Sequence, residues 1–113
     1  MVFLALTPLL ASAAGTVRIR RAYVKLSDHL LHLEFYVKPG ILGYVLIYLD
    51  EELWDVIPTK AHLNPHYHLT YVAMMHWEEV EIYVVDMEGA IVGYDRDFID
   101  YILVPHLPII LHL

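Results

Sequence analysis

A chain of 113 residues supports one hydrophobic core, because domains of this length bury too little surface to divide between two. Apolar types make up 58% of it and charged types 19%, which is too apolar for a disordered segment and apolar enough to expect an assembly of copies that covers part of the surface. A formal charge of −7 with no basic run excludes the electrostatic footprint of a nucleic-acid binder, and the absence of cysteine excludes disulfides, thiolate metal sites and thiol nucleophiles.

Glutamine is absent and Asn64 is the single asparagine, a scarcity of thermolabile amides that suits a hyperthermophilic source. Residues 1–14 read MVFLALTPLLASAA. The apolar stretch 2–10 followed by Ala11-Ser12-Ala13 matches the pattern before a signal-peptide cleavage site, yet no Lys or Arg precedes Arg18, so the basic start of such a peptide is missing. The stretch also falls far short of the roughly 20 residues that cross a bilayer as a helix, so no membrane span is expected. Three readings stay open: a signal peptide, a strand of the domain's own sheet, or an apolar strand lent to a neighbouring copy. The apolar character of the whole chain favours the last, which makes Val2, Phe3, Leu4, Leu6, Leu9 and Leu10 interface residues.

From Thr16 onward β-branched and aromatic residues dominate, with turn residues about every eight to twelve positions, the pattern of a sandwich or barrel. Val17 and Ile19 alternate with Arg18 and Arg20, after which Ala22, Val24 and Leu26 become the apolar set; a bulge near Arg20-Arg21 accounts for the flip. Ser27-Asp28 turns the chain into a strand over 29–38 with Leu31, Leu33, Phe35 and Val37 on one face and His32, Glu34, Tyr36 and Lys38 on the other. Pro39-Gly40 leads into 41–49, where Val45, Ile47 and Leu49 oppose Leu42, Tyr44, Leu46 and Tyr48. Both faces of that strand are apolar, so it is central or covered by another subunit, and the second set joins the expected interface. A charged turn at Asp50-Glu51-Glu52 precedes a short strand over 53–57 and a loop over 59–65. Strands over 66–75, 80–86 and 90–94 follow, the last two joined by the turn Asp86-Met87-Glu88-Gly89. Residues 98–104 read as one more strand, less well as a short helix, and 105–113 as an uncharged apolar tail. The fold class expected is an all-β, antiparallel sandwich of about seven or eight strands, organised as an apolar leader or donor segment 1–14, a sandwich domain 15–104 and the tail.

The run 80–92, VEIYVVDMEGAIV, resembles the closing hairpin of immunoglobulin-like and fibronectin-like extracellular domains, and 29–49 is similar to their paired core strands. The likeness spans residues 16–94 and lacks the cysteine pair and partner tryptophan of antibody domains. It implies an exported or surface role, adhesive or structural, with no catalytic residues to carry over. The apolar segment 2–10 and the doubly apolar strand 41–49 also resemble surface-filament subunits of archaea and their viruses, in which an apolar strand from the next subunit completes a sandwich.

Eight histidines invite a metal reading. His66 and His68 lie two apart on a strand and share a face, with His62 before them and His76 beyond, yet a metal site needs three or four ligands and a supporting shell. Protonating all eight moves the formal charge from −7 to +1, a charge switch over about pH 5 to 7. Carboxylates gather at Asp50, Glu51 and Glu52, at Glu78, Glu79 and Glu81, and at Asp95, Asp97 and Asp100; the last group comes nearest to a calcium loop but lacks its glycine and acidic spacing, and solvated turns explain all three. Scattered glycines make no phosphate loop, and Ser12 and Ser27 sit in no nucleophile elbow. No enzyme, no cofactor and no catalytic or resident metal site is therefore expected. The preferred function is a structural subunit of an extracellular, cell-surface or virion-surface filament, a homo-oligomer polymerising by strand donation. The alternative is a secreted monomeric module binding metal through His66 and His68 or carbohydrate through Trp54 and Trp77.

Overall fold

The structure, a computed structural model, describes residues 15–60, 64–104 and 107–111. Among them the chain is all-β with no helix. Its strands are β1 Val17–Lys25, β2 Leu30–Val37, β3 Gly43–Leu49, β4 Glu52–Pro58, β5 His66–Val72, β6 Glu79–Asp86, β7 Ile91–Phe98 and β8 Asp100–Val104, with β9 Leu107–Leu111 in the uncharged C-terminal segment. Sheet A has the order β5-β2-β1-β8-β9 and sheet B the order β4-β3-β6-β7. Pairing is antiparallel except between β1 and β8, which run parallel. That pair departs from the antiparallel expectation for a physical reason: β7 and β8 are nearly continuous, and the chain passes from sheet B to sheet A across the single residue Ile99, keeping its direction along β1.

Alternation decides the core. The inward set of β2, Leu31, Leu33, Phe35 and Val37, meets Val45, Ile47 and Leu49 of β3 and Val80, Ile82 and Val84 of β6, all buried in one cluster. Such a side chain removed from water contributes about 1.5 to 3 kcal/mol, so the two inner faces hold the sheets together. The expected bulge is present: the β1–β2 register shifts between Ile19 and Arg21, which returns Ala22 and Val24 to the core.

Boundaries differ where local chemistry overrides the pattern. β3 starts at Gly43 rather than residue 41, and a Cβ there would lie 1.9 Å from the Val85 carbonyl oxygen, so only glycine admits the close approach of β6. β5 ends at Val72 rather than residue 75, leaving Met74 and Met75 exposed beyond the strand. β7 runs to Phe98 rather than residue 94, because Asp95, Arg96 and Asp97 continue the β6 ladder as far as the Glu79↔Phe98 pair. The β3–β4 connection is a two-residue hairpin whose Asp50 and Glu51 both take positive φ, 49° and 68°, the geometry that matches strand twist. Asp50 is anchored there because its Oδ1 accepts hydrogen bonds from the Glu78 and Glu79 amides, each at 2.9 Å.

Candidate functional site

Two outward faces remain once the core is filled, and each gathers residues that the sequence singled out. The outer face of sheet B carries Tyr44, Leu46 and Tyr48 from β3. In register beside them stand Val56 and Leu53 of β4, and Val85, Tyr83 and Glu81 of β6. Tyr83 bridges the face, with Tyr48 edge-on at 5.3 Å between ring centroids and Tyr94 of β7 tilted at 4.9 Å. Two polar pairs sit at one end of this face: the Tyr94 hydroxyl donates to Glu81 Oε2 at 2.7 Å, and Arg96 bonds Glu79. Tyr44 is 43% exposed, Leu42 just ahead of the strand 62% and Phe98 at the end of β7 67%. The expected interface residues Leu42, Tyr44, Leu46 and Tyr48 thus border one apolar, aromatic surface. The other expected interface residues, Val2, Phe3, Leu4, Leu6, Leu9 and Leu10, lie outside the described residues.

The outer face of sheet A is polar. Cross-strand rows place His66, Tyr36 and Arg18 together, then His68, Glu34 and Arg21, then Thr70, His32, Tyr23 and Asp100. His32 is the one buried polar residue among the described residues, 7% exposed although it points away from the core. Its ring lies parallel to Tyr23 at 4.9 Å, and the Arg21 guanidinium covers the other side of the stack, 4.3 Å above the tyrosine ring. Its Nε2–H donates to Asp28 Oδ2 at 2.9 Å, and its Nδ1 faces His68 Nε2 at 3.3 Å. Asp28 occupies the turn before β2, where its other oxygen accepts from the Leu30 amide. Burial works to raise the Asp28 pKa, but the hydrogen bonds from His32 and Leu30 together with the charges of His32 and Lys25 outweigh it and hold the carboxyl below its ordinary value. Tyr23 titrates above the ordinary tyrosine range, first through burial and then through the Glu34 charge beside its hydroxyl.

The histidine grouping read from spacing is rearranged. His66 and His68 do share the outer face, but His66 tilts against Tyr36 while His68 meets His32 across the strand pair. His76 lies elsewhere, stacked on Tyr101 at 4.5 Å, and His62 is outside the described residues. No group of three or more His or carboxylate side chains is gathered for a metal among the described residues. His32 was missed as part of the cluster because its link to His68 is a diagonal across two strands 36 positions apart in sequence. The period-two pattern that placed both outward was the only available signal.

The tryptophans offer no carbohydrate platform. Trp77 is 1% exposed and packs edge-on against half-buried Trp54 at 5.1 Å, and the Tyr101 hydroxyl locks it further by accepting from its amide and donating to its carbonyl. The carboxylate groups serve local structure: Asp95 Oδ2 accepts from the Ile19 amide at 2.8 Å, tying β7 to β1, and Asp50 caps the start of β6. No protein-family model, no curated protein and no solved structure matches this chain.

Proposed function

We propose that the protein is a structural subunit that assembles with copies of itself, as an extracellular or virion-surface filament built on an immunoglobulin-like sandwich. One observation carries the reading: the outer face of sheet B presents Tyr44, Leu46, Tyr48, Tyr83 and Val56 as a continuous apolar surface, of the kind that marks an interaction site. The strand orders β5-β2-β1 and β4-β3-β6-β7 support the immunoglobulin-like or fibronectin-like comparison.

Strand donation supplies the linkage. Residues 2–10 contain no charge, and four of their apolar side chains buried against a neighbour contribute roughly 6 to 12 kcal/mol before ordering costs, at about 1.5 to 3 kcal/mol each. The acceptor in this reading is β9. Among the described residues it is the last strand of sheet A, and its sequence Leu-Pro-Ile-Ile-Leu carries no charged or titratable group, whereas the sheet B edges carry Glu52 and Asp55 on β4 and Asp95, Arg96 and Asp97 on β7. Charged edges discourage pairing with another chain, and an uncharged edge invites it.

Removal of residues 1–14 tests the reading. The full chain is expected to form extended assemblies by electron microscopy and light scattering, and the truncated chain to remain monomeric until a synthetic 1–14 peptide is added. A full-length chain that stays a single stable particle at high concentration overturns it.

A further inference from the structure

We infer that His32 and His68 form a binding site for a divalent late transition-metal ion such as Zn²⁺ or Cu²⁺, on the outer face of sheet A and independent of the assembly surface. His32 Nδ1 and His68 Nε2 stand 3.3 Å apart, and two nitrogens bound at about 2.0–2.1 Å to a tetrahedral ion are separated by roughly 3.3–3.4 Å. The two rings already hold the spacing that a shared ion requires.

Orientation is arranged in the same way. Asp28 accepts the Nε2 proton of His32, which leaves the Nδ1 lone pair aimed at His68, and the parallel stack on Tyr23 fixes the ring plane. A carboxylate holding the far nitrogen of a ligand histidine is the arrangement that fixes its tautomer and raises its basicity. With both imidazoles neutral, the short contact holds one proton, on His68 Nε2. An ion takes that position, and the proton moves through solvent to His68 Nδ1, so neutral rings release none and each imidazolium releases one. Solvent fills the remaining coordination positions, since among the described residues no third histidine or carboxylate is gathered with the pair. Solvent reaches the pair from the His68 side, where an open groove of about 360 Å³ is lined by His68 and Glu34 and by the cationic Arg20 and Lys60, but not by His32.

Titration of the full chain with Zn²⁺ by calorimetry, paired with Cu²⁺ electron paramagnetic resonance, tests the site. Wild type is expected to show two-nitrogen coupling. His68→Ala should weaken binding by at least tenfold and leave a single coupled nitrogen, while Asp28→Asn weakens it about tenfold with both nitrogens retained. His66→Ala should bind within twofold of wild type. Each variant's metal-free thermal midpoint reports that it is folded, which for His68, an exposed side chain, is expected to stay near that of wild type. Wild-type affinity in His68→Ala, a loss in His66→Ala as large as that in His68→Ala, or no two-nitrogen signal in the wild type overturns the site and leaves the two rings as a hydrogen-bonded pair.

Discussion

On sheet A the outward positions of β1 and β2 set Arg18, Arg21, Tyr23 and Lys25 against Leu30, His32, Glu34 and Tyr36; on sheet B those of β3 and β6 set Tyr44, Leu46 and Tyr48 against Glu81, Tyr83 and Val85. The inner sides of the same strands are equally apolar, so the core does not distinguish the sheets. What differs is how each outer side meets water. Sheet A shelters its rings within a charged surround, Arg21 over Tyr23 over His32, whereas sheet B leaves aliphatic and tyrosine side chains exposed or half-buried, with two polar pairs at one end. A sandwich needs one apolar face per sheet. A second one, as on sheet B, is more than the fold requires, and it is the surface that the proposed assembly would cover.

Charge placed on each face gives the sharpest break of that comparison and the largest effect. Leu46→Lys with Tyr83→Lys is expected to shift the assemblies to markedly smaller species by light scattering, with the donated strand as the one remaining linkage, because two ammonium groups cannot be buried without partners. Arg18→Glu with Lys25→Glu on sheet A should leave the assemblies intact. Dissociation by the sheet A pair alone would move the contact surface to the other side of the molecule.

Alkaline pH separates the faces next. On sheet B, burial, the hydrogen bond to Glu81 and the Glu81 charge push the Tyr94 hydroxyl well above the ordinary tyrosine range; burial and the same charge raise Tyr83. Tyr23 is raised on sheet A, so the contrast lies in the larger shift on sheet B. A tyrosine whose folded pKa exceeds its unfolded value of 10.0 contributes stability that is complete below about pH 10 and is lost as pH rises through the folded value. Tyr71 is raised for the same physical reasons, burial and its bond to Asp55, and ties β5 to β4 on neither outer face. Tyr94→Phe should cost about 1 to 2 kcal/mol at pH 7 in urea unfolding and flatten the decline above pH 10. A decline unchanged in Tyr94→Phe but flattened in Tyr71→Phe would assign it to the seam between the sheets instead.

The same two faces show how far the sequence could be read. Alternation in 29–38 identified the inward set of β2 and the outward place of His32 and Glu34, and the switch of parity at Arg20-Arg21 located a bulge that the β1–β2 register contains. The doubly apolar reading of 41–49 put Leu46 and Tyr48 on a second greasy surface, as the β3 register does. Period two says nothing about which strand lies alongside, so the parallel β1–β8 pair and the diagonal from His32 to His68 were beyond it. Burial of Trp77 was equally illegible, since it follows from a loop folding under Tyr101 and not from any strand pattern.

The smallest effect tests whether the polar face is held together by charge or only by shape. Asp28→Asn keeps an oxygen to accept from the Leu30 amide, so the turn into β2 survives, but it removes the charge that faces His32 Nε2. Because the Asp28 side chain is 33% exposed, solvent weakens the contact, and the loss expected at pH 7 is about 1 kcal/mol. The sign with pH follows from the direction of the shift. A carboxyl held below its ordinary value of 3.8 stabilises the fold above that pH, and the contribution disappears as pH falls through the folded value. Wild type and Asp28→Asn should therefore differ in unfolding free energy at pH 7 and converge in strong acid. A gap of the same size at both pH values would mean that the carboxylate acts through the shape of the turn, and the stack of Arg21, Tyr23 and His32 would then owe its burial to packing alone.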